Sequence, residues 1–145
     1  MKATYDLSPI TIATCDYDRL MFTATAARRR GDRNAAFLLS ELLRATLCQV
    51  DELPDEVVST NCRVIYRIDG AENAHGNLLV HPEDMKWPGA ELSVTTPLGI
   101  ALLGLCVRDR MPYPLGDRAP EHEVLVEGVG WRFLSDMSWR DGHRW

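Results

Sequence analysis

Apolar and polar positions along this chain change period once, near residue 51, from helical spacing to strand alternation. Tyr17, Leu20, Met21, Ala24 and Ala27 recur at helical spacing. Asp16 can cap this helix and Asp18 adds negative charge to its positive end. The helix should run to about Arg29 or Arg30, where Gly31 breaks it. Asn34 can cap a second helix. Leu38, Leu39, Leu42, Ala45 and Gln49 mark one face of it, with Leu43, Leu47 and Val50 beside them, and Pro54 stops it. Two helices of about 15 residues, each roughly 22 Å long, predict an antiparallel hairpin. Two short helices alone bury too little surface to be stable, so the base of the hairpin should lean on the rest of the chain.

Before the helices, residues 8–12 read as an extended lead-in. After the hinge at 51–56, Cys62 to Ile68 alternates as a strand, Asp69-Gly70 turns, and Asn77 to His81 forms a second strand. Pro82 to Gly89 is a loop containing Trp87. Leu92 and Val94 alternate with Ser93 and Thr95 as a third strand. Arg110 to Leu115 carries Pro112 and Pro114, which confine it to a sheet edge. Gly116-Asp117 turns the chain, and Glu121 to Val129 is a fifth strand. The expected fold is α+β: a short N-terminal helical hairpin, then an antiparallel sheet wrapped on one short helix. Three segments follow, at 1–52, 53–130 and 131–145.

The short helix is the most specific feature. Thr96 suits an N-cap and Pro97 the first helical position. Leu98, Ile100, Ala101, Leu102 and Leu103 are apolar nearly all round, which predicts a buried helix. Gly104 fits a left-handed cap.

Composition adds bounds. The 145 residues are 46% hydrophobic and 26% charged, ordinary for a globular protein. No apolar run is long enough to span a bilayer. Met1 to Asp6 lacks a basic-then-apolar signal pattern, so a cytoplasmic protein is expected. Cys15, Cys48, Cys62 and Cys106 form no CxxC and no zinc spacing, and read as buried or partly buried thiols. The net charge of −5 argues against a general nucleic-acid binder. Residues 16–50 carry a net +2 and residues 51–129 a net −8, which points to two modules with different partners.

Three segments resemble the family of the regulator of nucleoside diphosphate kinase, a relative of the Gre transcript-cleavage factors. They are Ile10-Thr11-Ile12 with Asp18-Arg19-Leu20; Glu41-Leu42 and Ala45 into Leu53 to Val64; and Leu92-Ser93-Val94 through Pro97 to Leu105, with Val107 and Asp109. The resemblance implies an N-terminal coiled-coil hairpin, an FKBP-like C-terminal domain and a monomer; no cofactor is expected. It also implies binding to bacterial RNA polymerase. The C-terminal domain would dock at the rim of the secondary channel through Ser93, Thr95, Thr96 and Pro97, with the hairpin pointing into the channel. The cleavage factors carry an acid before a Ser-Pro pair there. Here Thr95, Thr96 and Pro97 keep the proline and lack the acid.

The hairpin tip reads Arg28-Arg29-Arg30-Gly31-Asp32-Arg33. Tip acids in the cleavage factors help hold magnesium, a cation that prefers carboxylate oxygens. One Asp among four Arg repels a metal, so cleavage activity is expected to be absent. The tip reads either as a contact for RNA or an acidic channel wall, or as a solvated turn. His75, His81, His122 and His143 lie near no recognisable nucleophile motif. Trp87 invites comparison with the aromatic pocket of FKBP-type prolyl isomerases, the alternative reading; packing of its own loop explains it more simply. A binding module for some other protein partner is the remaining alternative. In the tail, Trp131, Phe133, Trp139 and Trp145 interleave with Arg132, Arg140 and Arg144. They pack back on the domain, or they stack on bases or anchor a partner.

Overall fold

A computed structural model describes residues 7–116 and 119–132. The chain runs β1 (Thr11–Ala13), α1 (Thr14–Arg29), α2 (Ala35–Arg44), β2 (Thr46–Cys48), β3 (Cys62–Ile68), β4 (His75–Val80), β5 (Glu91–Ser93), α3 (Pro97–Leu102), β6 (Arg110–Tyr113) and β7 (His122–Arg132). Short 3-10 turns occupy Val50–Glu52 and Pro82–Asp84. The larger sheet has five strands in the order β5-β4-β3-β7-β6, and β1 pairs with β2 in a separate ribbon.

The class is α+β, as expected, but the sheet is mixed rather than antiparallel. β5 runs parallel to β4, with Leu78 opposite Glu91 and Val80 opposite Ser93. The segment between them is long enough to carry the chain back along β4, which a tight hairpin turn cannot do. β1 and β2 are also parallel. The β3–β7 and β6–β7 pairs are antiparallel, and β6, with Pro112, takes the expected edge place. At the β3 exit, Asp69 and Gly70 have φ of 55° and 70°, the two positive values that a type I′ turn requires.

The helices depart further from expectation. α1 begins at Thr14 and its N-cap is Ala13, so Asp16 lies inside the first turn and does not cap. Asn34 holds the N-cap position of α2 without a side-chain cap bond; its own N–H donates to Asp32 Oδ1 at 2.8 Å. α2 has 10 residues, because the chain leaves the helix at Ala45 and Thr46 N–H donates to the Ile10 carbonyl at 2.9 Å. Pairing with the lead-in thus replaces the last helical turn, and Pro54 stops nothing. Leu43, Leu47 and Val50 are consequently exposed.

α1 and α2 pack on each other and on the sheet through one core. Leu20 and Ala24 of α1, with Phe37, Leu38 and Leu42 of α2, share a cluster with Val64, Tyr66, Leu79, Val124 and Val126 of the strands. α3 fills its middle: Ile100, Ala101 and Leu102 are fully buried. Gly104 ties three segments together. Its carbonyl accepts from Thr11 N–H at 3.1 Å and its N–H donates to Val58 O at 2.8 Å. Its φ is +83°, and a Cβ there would meet Ile10 Cβ at 2.7 Å, so only glycine fits.

Candidate functional site

β5 is an outer strand of the large sheet, and the stretch from Ser93 to Pro97 carries it into α3. Its hydroxyls are tied to one another. Ser93 Oγ and Thr95 Oγ1 are 2.7 Å apart, and Thr95 N–H donates to Ser93 Oγ at 3.2 Å. Thr96 Oγ1 donates to Ser93 O at 2.8 Å and accepts from Gly99 N–H at 3.1 Å, the expected N-cap. Ser93 is buried; Thr95, Thr96 and Pro97 are half-buried. The four residues thus form one rigid corner, with Thr95 to Pro97 as its accessible part.

The loop before β5 is held by a carboxylate that sequence reasoning missed. Glu91, buried, accepts the Lys86 and Trp87 N–H groups on Oε1, both at 2.6 Å. A buried acid at the start of an apolar strand was the available signal, since such a group must find donors. The expectation that Trp87 packs its loop fails: the ring is 66% exposed, because Glu91 holds the loop through its backbone.

The tip residues Arg28, Arg29, Arg30, Asp32 and Arg33 come together around Gly31, whose φ is +77°, and all are exposed. Asp32 Oδ1 is engaged by the Asn34 N–H. Among the described residues no ion pair involves these arginines. Elsewhere several charges pair. Arg19 of α1 reaches Glu83 at 2.7 Å and Asp84 at 3.0 Å, pinning α1 to the β4–β5 segment. Burial works against the Glu83 carboxylate, but its hydrogen bonds and the Arg19 charge hold it below the usual range. Glu41, almost fully buried in α2, takes both Arg44 Nε at 2.6 Å and Arg44 Nη2 at 2.9 Å, while Arg44 Nη1 donates to Ser8 O.

Among the described histidines, His122 Nδ1 lies 2.7 Å from Asp69 Oδ2 on the surface, and buried His81 Nε2 lies 3.3 Å from Asp16 Oδ1. A shallow cavity of about 570 Å³ is lined by Ser8, Asp69, Arg110, Glu121, His122 and Glu123 among others, and by no Phe, Tyr or Trp. Among the described residues, no group of three or more His, Cys, Asp or Glu is placed to hold a metal ion, and no helix is long and apolar enough to cross a membrane. Of the cysteines, Cys62 is buried and Cys48 and Cys106 are half-buried as expected, whereas Cys15 is exposed. Although its side chain reaches solvent, partial desolvation by the surrounding protein, followed by the neighbouring Asp16 charge, raises the Cys15 thiol above its ordinary value. β7 runs through Trp131 to Arg132, and the rest of the aromatic tail lies outside the described residues.

No family model matches the chain. The regulator of nucleoside diphosphate kinase of Escherichia coli (strain K12) is 36% identical over 118 residues, covering 81% of this chain and 87% of that protein. The protein of the same description from Shigella flexneri matches equally. Among solved structures, a prokaryotic transcription elongation factor GreA/GreB from Nitrosomonas europaea superposes with a TM-score of 0.67 at 28% identity, over 84% of this chain and 99% of that one.

Proposed function

The chain belongs to the family of the regulator of nucleoside diphosphate kinase, and from that premise we propose that it is a non-enzymatic transcription regulator that docks on bacterial RNA polymerase. The five-stranded sheet with α3 against it is read as the FKBP-like docking module. The α1–α2 pair is read as a shortened coiled-coil arm. Docking at the rim of the secondary channel runs through the Ser93–Pro97 corner. Ser93 supports the corner, and Thr95, Thr96 and Pro97 meet the partner.

The observation that carries this reading is the corner itself. Its hydroxyls are locked by the contacts between Ser93, Thr95, Thr96 and Gly99, so a partner meets a surface already ordered. Pre-ordering reduces the entropy lost on binding. The arm supports a role without transcript cleavage. α1 and α2 are about 24 and about 15 Å long, and their tip offers one carboxylate amid four arginines. The isomerase alternative finds no support among the described residues. Trp87 stands in solvent and the cavity that His122 lines has no Phe, Tyr or Trp in its walls.

Affinity capture of the tagged chain from its native host, followed by identification of bound subunits, tests the reading. RNA polymerase subunits recovered with the wild type and lost with Pro97→Arg are expected. Capture without polymerase subunits overturns it. Pro97 occupies the first helical position and is half-buried, where arginine is compatible with the fold.

A further inference from the structure

The outward face of α1 combines an exposed aromatic ring with unpaired cationic charge. Phe22 is 79% exposed. Arg29 lies seven residues on, two helical turns, on the same face and about 10 Å nearer the tip. Thr25 between them is exposed too. Arg28, Arg30 and Arg33 surround the end of this stripe, and no carboxylate pairs with any of the four arginines among the described residues. Of the nearby acids, Asp16 accepts from Thr60, and Glu83 and Asp84 face Arg19; exposed Asp18 stands one turn before Phe22, at the end of the stripe away from the arginines. The remaining body is strongly acidic, so the molecule presents a polyanion with one attractive end.

We propose that the tip half of α1 binds single-stranded RNA, with a base stacked on Phe22 and the phosphate backbone running along Arg29 towards Arg28, Arg30 and Arg33. An aromatic platform beside cationic side chains is what single strands require; duplex bases are not available to stack. Acidic protein segments would use the arginines but would gain little from an isolated phenyl ring. A small nucleotide needs a concavity, and the turn is open, with nothing within 4 Å of a Cβ placed on Gly31. This inference does not rest on polymerase docking and is tested without the polymerase.

Fluorescence anisotropy of a short labelled oligouridylate, titrated with the full chain at several salt concentrations, measures it. Binding at low salt is expected, with a log–log salt slope that falls by about 0.7 for each phosphate-contacting arginine removed. Arg29→Gln lowers the slope. Phe22→Ala weakens binding about tenfold at every salt concentration and leaves the slope unchanged. Both side chains are exposed, so circular dichroism of the variants should match the wild type. Absence of binding at low salt overturns the proposal. So does equal binding of duplex RNA, equal competition by polyglutamate, or an unaffected Phe22→Ala variant. Equal binding of single-stranded DNA of the same length overturns the restriction to RNA.

Discussion

Asp16 and His81 are 65 positions apart in the chain, and their side chains meet at 3.3 Å. Asp16 Oδ1 also accepts the Thr60 hydroxyl at 2.7 Å. His81 and Thr60 are buried, and His81 Nδ1 finds no partner among the described residues. A carboxylate oxygen only accepts, so in this contact His81 Nε2 is the donor to Asp16. One carboxylate at the start of α1 thus satisfies polar groups from the β3 entry and the β4 exit.

Removing that carboxylate leaves two buried polar groups without their partner. Asp16→Ala should cost about 2–3 kcal/mol, in line with the penalty for orphaned polar groups. Asp18→Ala, two residues along on the exposed side, should stay within about 0.5 kcal/mol. Chemical denaturation of both variants checks the pair, and equal costs would show that the Asp16 contacts contribute nothing specific.

Gly99 was legible as part of a buried helix, but the reason for glycine was not. A Cβ there would sit 2.0 Å from the Ser93 carbonyl oxygen, a backbone atom that cannot move without dragging β5. Gly99→Ala should destabilise the protein by at least about 3 kcal/mol, at the upper end for overpacking. Under the proposed docking it should also abolish polymerase capture, because the displaced strand leads into the Ser93–Pro97 corner. A melting curve within a degree or two of wild type would contradict the packing described.

Much of this architecture could be read from residues that act locally. Thr96, Pro97 and Gly104 bracket α3 because capping and left-handed turns are properties of short segments. The alternation of Cys62 to Ile68 sets β3 to the residue. What escaped depends on distant partners. Thr46 to Cys48 continues a helical pattern, and pairing with Thr11 to Ala13, led by the Ile10 carbonyl, draws it into a ribbon. The parallel direction of β5 depends on the path of the preceding loop, and that path depends on Glu91. Asp16 has the chemistry of a cap, yet Thr60 and His81 claim it. The arginine tip was readable as charge; the Phe22 stripe beside it needed the helix register and its exposure.

Tyr113 is one of the groups whose ionisation opposes folding at alkaline pH. Burial, then the nearby Asp69 and Tyr66, pushes its phenol up to about 12 from an ordinary 10. A raised folded-state value means that the neutral form is favoured by folding. The Tyr113 contribution to stability is therefore fully present below pH 10 and is lost as pH rises towards about 12. Tyr113→Phe should flatten that decline. Unfolding midpoints across the alkaline range, with phenolate absorbance followed in parallel, measure it.

If the proposed polymerase docking extends to the loop before β5, Trp87 should matter for capture and not for folding. Its ring is exposed while its backbone is fixed by Glu91, the arrangement of a pre-ordered anchor. Trp87→Ala should leave the melting temperature unchanged and weaken polymerase capture by about 2 kcal/mol, a hot-spot magnitude. A stability loss with unchanged capture would assign the ring to the fold instead.

Transcript cleavage tests the arm. Magnesium needs several hard oxygen ligands, and the tip supplies one carboxylate, Asp32, whose Oδ1 already accepts the Asn34 N–H. Arg28, Arg29, Arg30 and Arg33 add repulsion towards a divalent cation. Backtracked transcription complexes given the purified chain and magnesium should therefore show cleavage no faster than complexes without it. Asp32→Ala should not change that result. Rapid magnesium-dependent cleavage by the wild type, lost in Asp32→Ala, would mean that the tip recruits its missing ligands from the polymerase, and would place this chain among the cleavage factors.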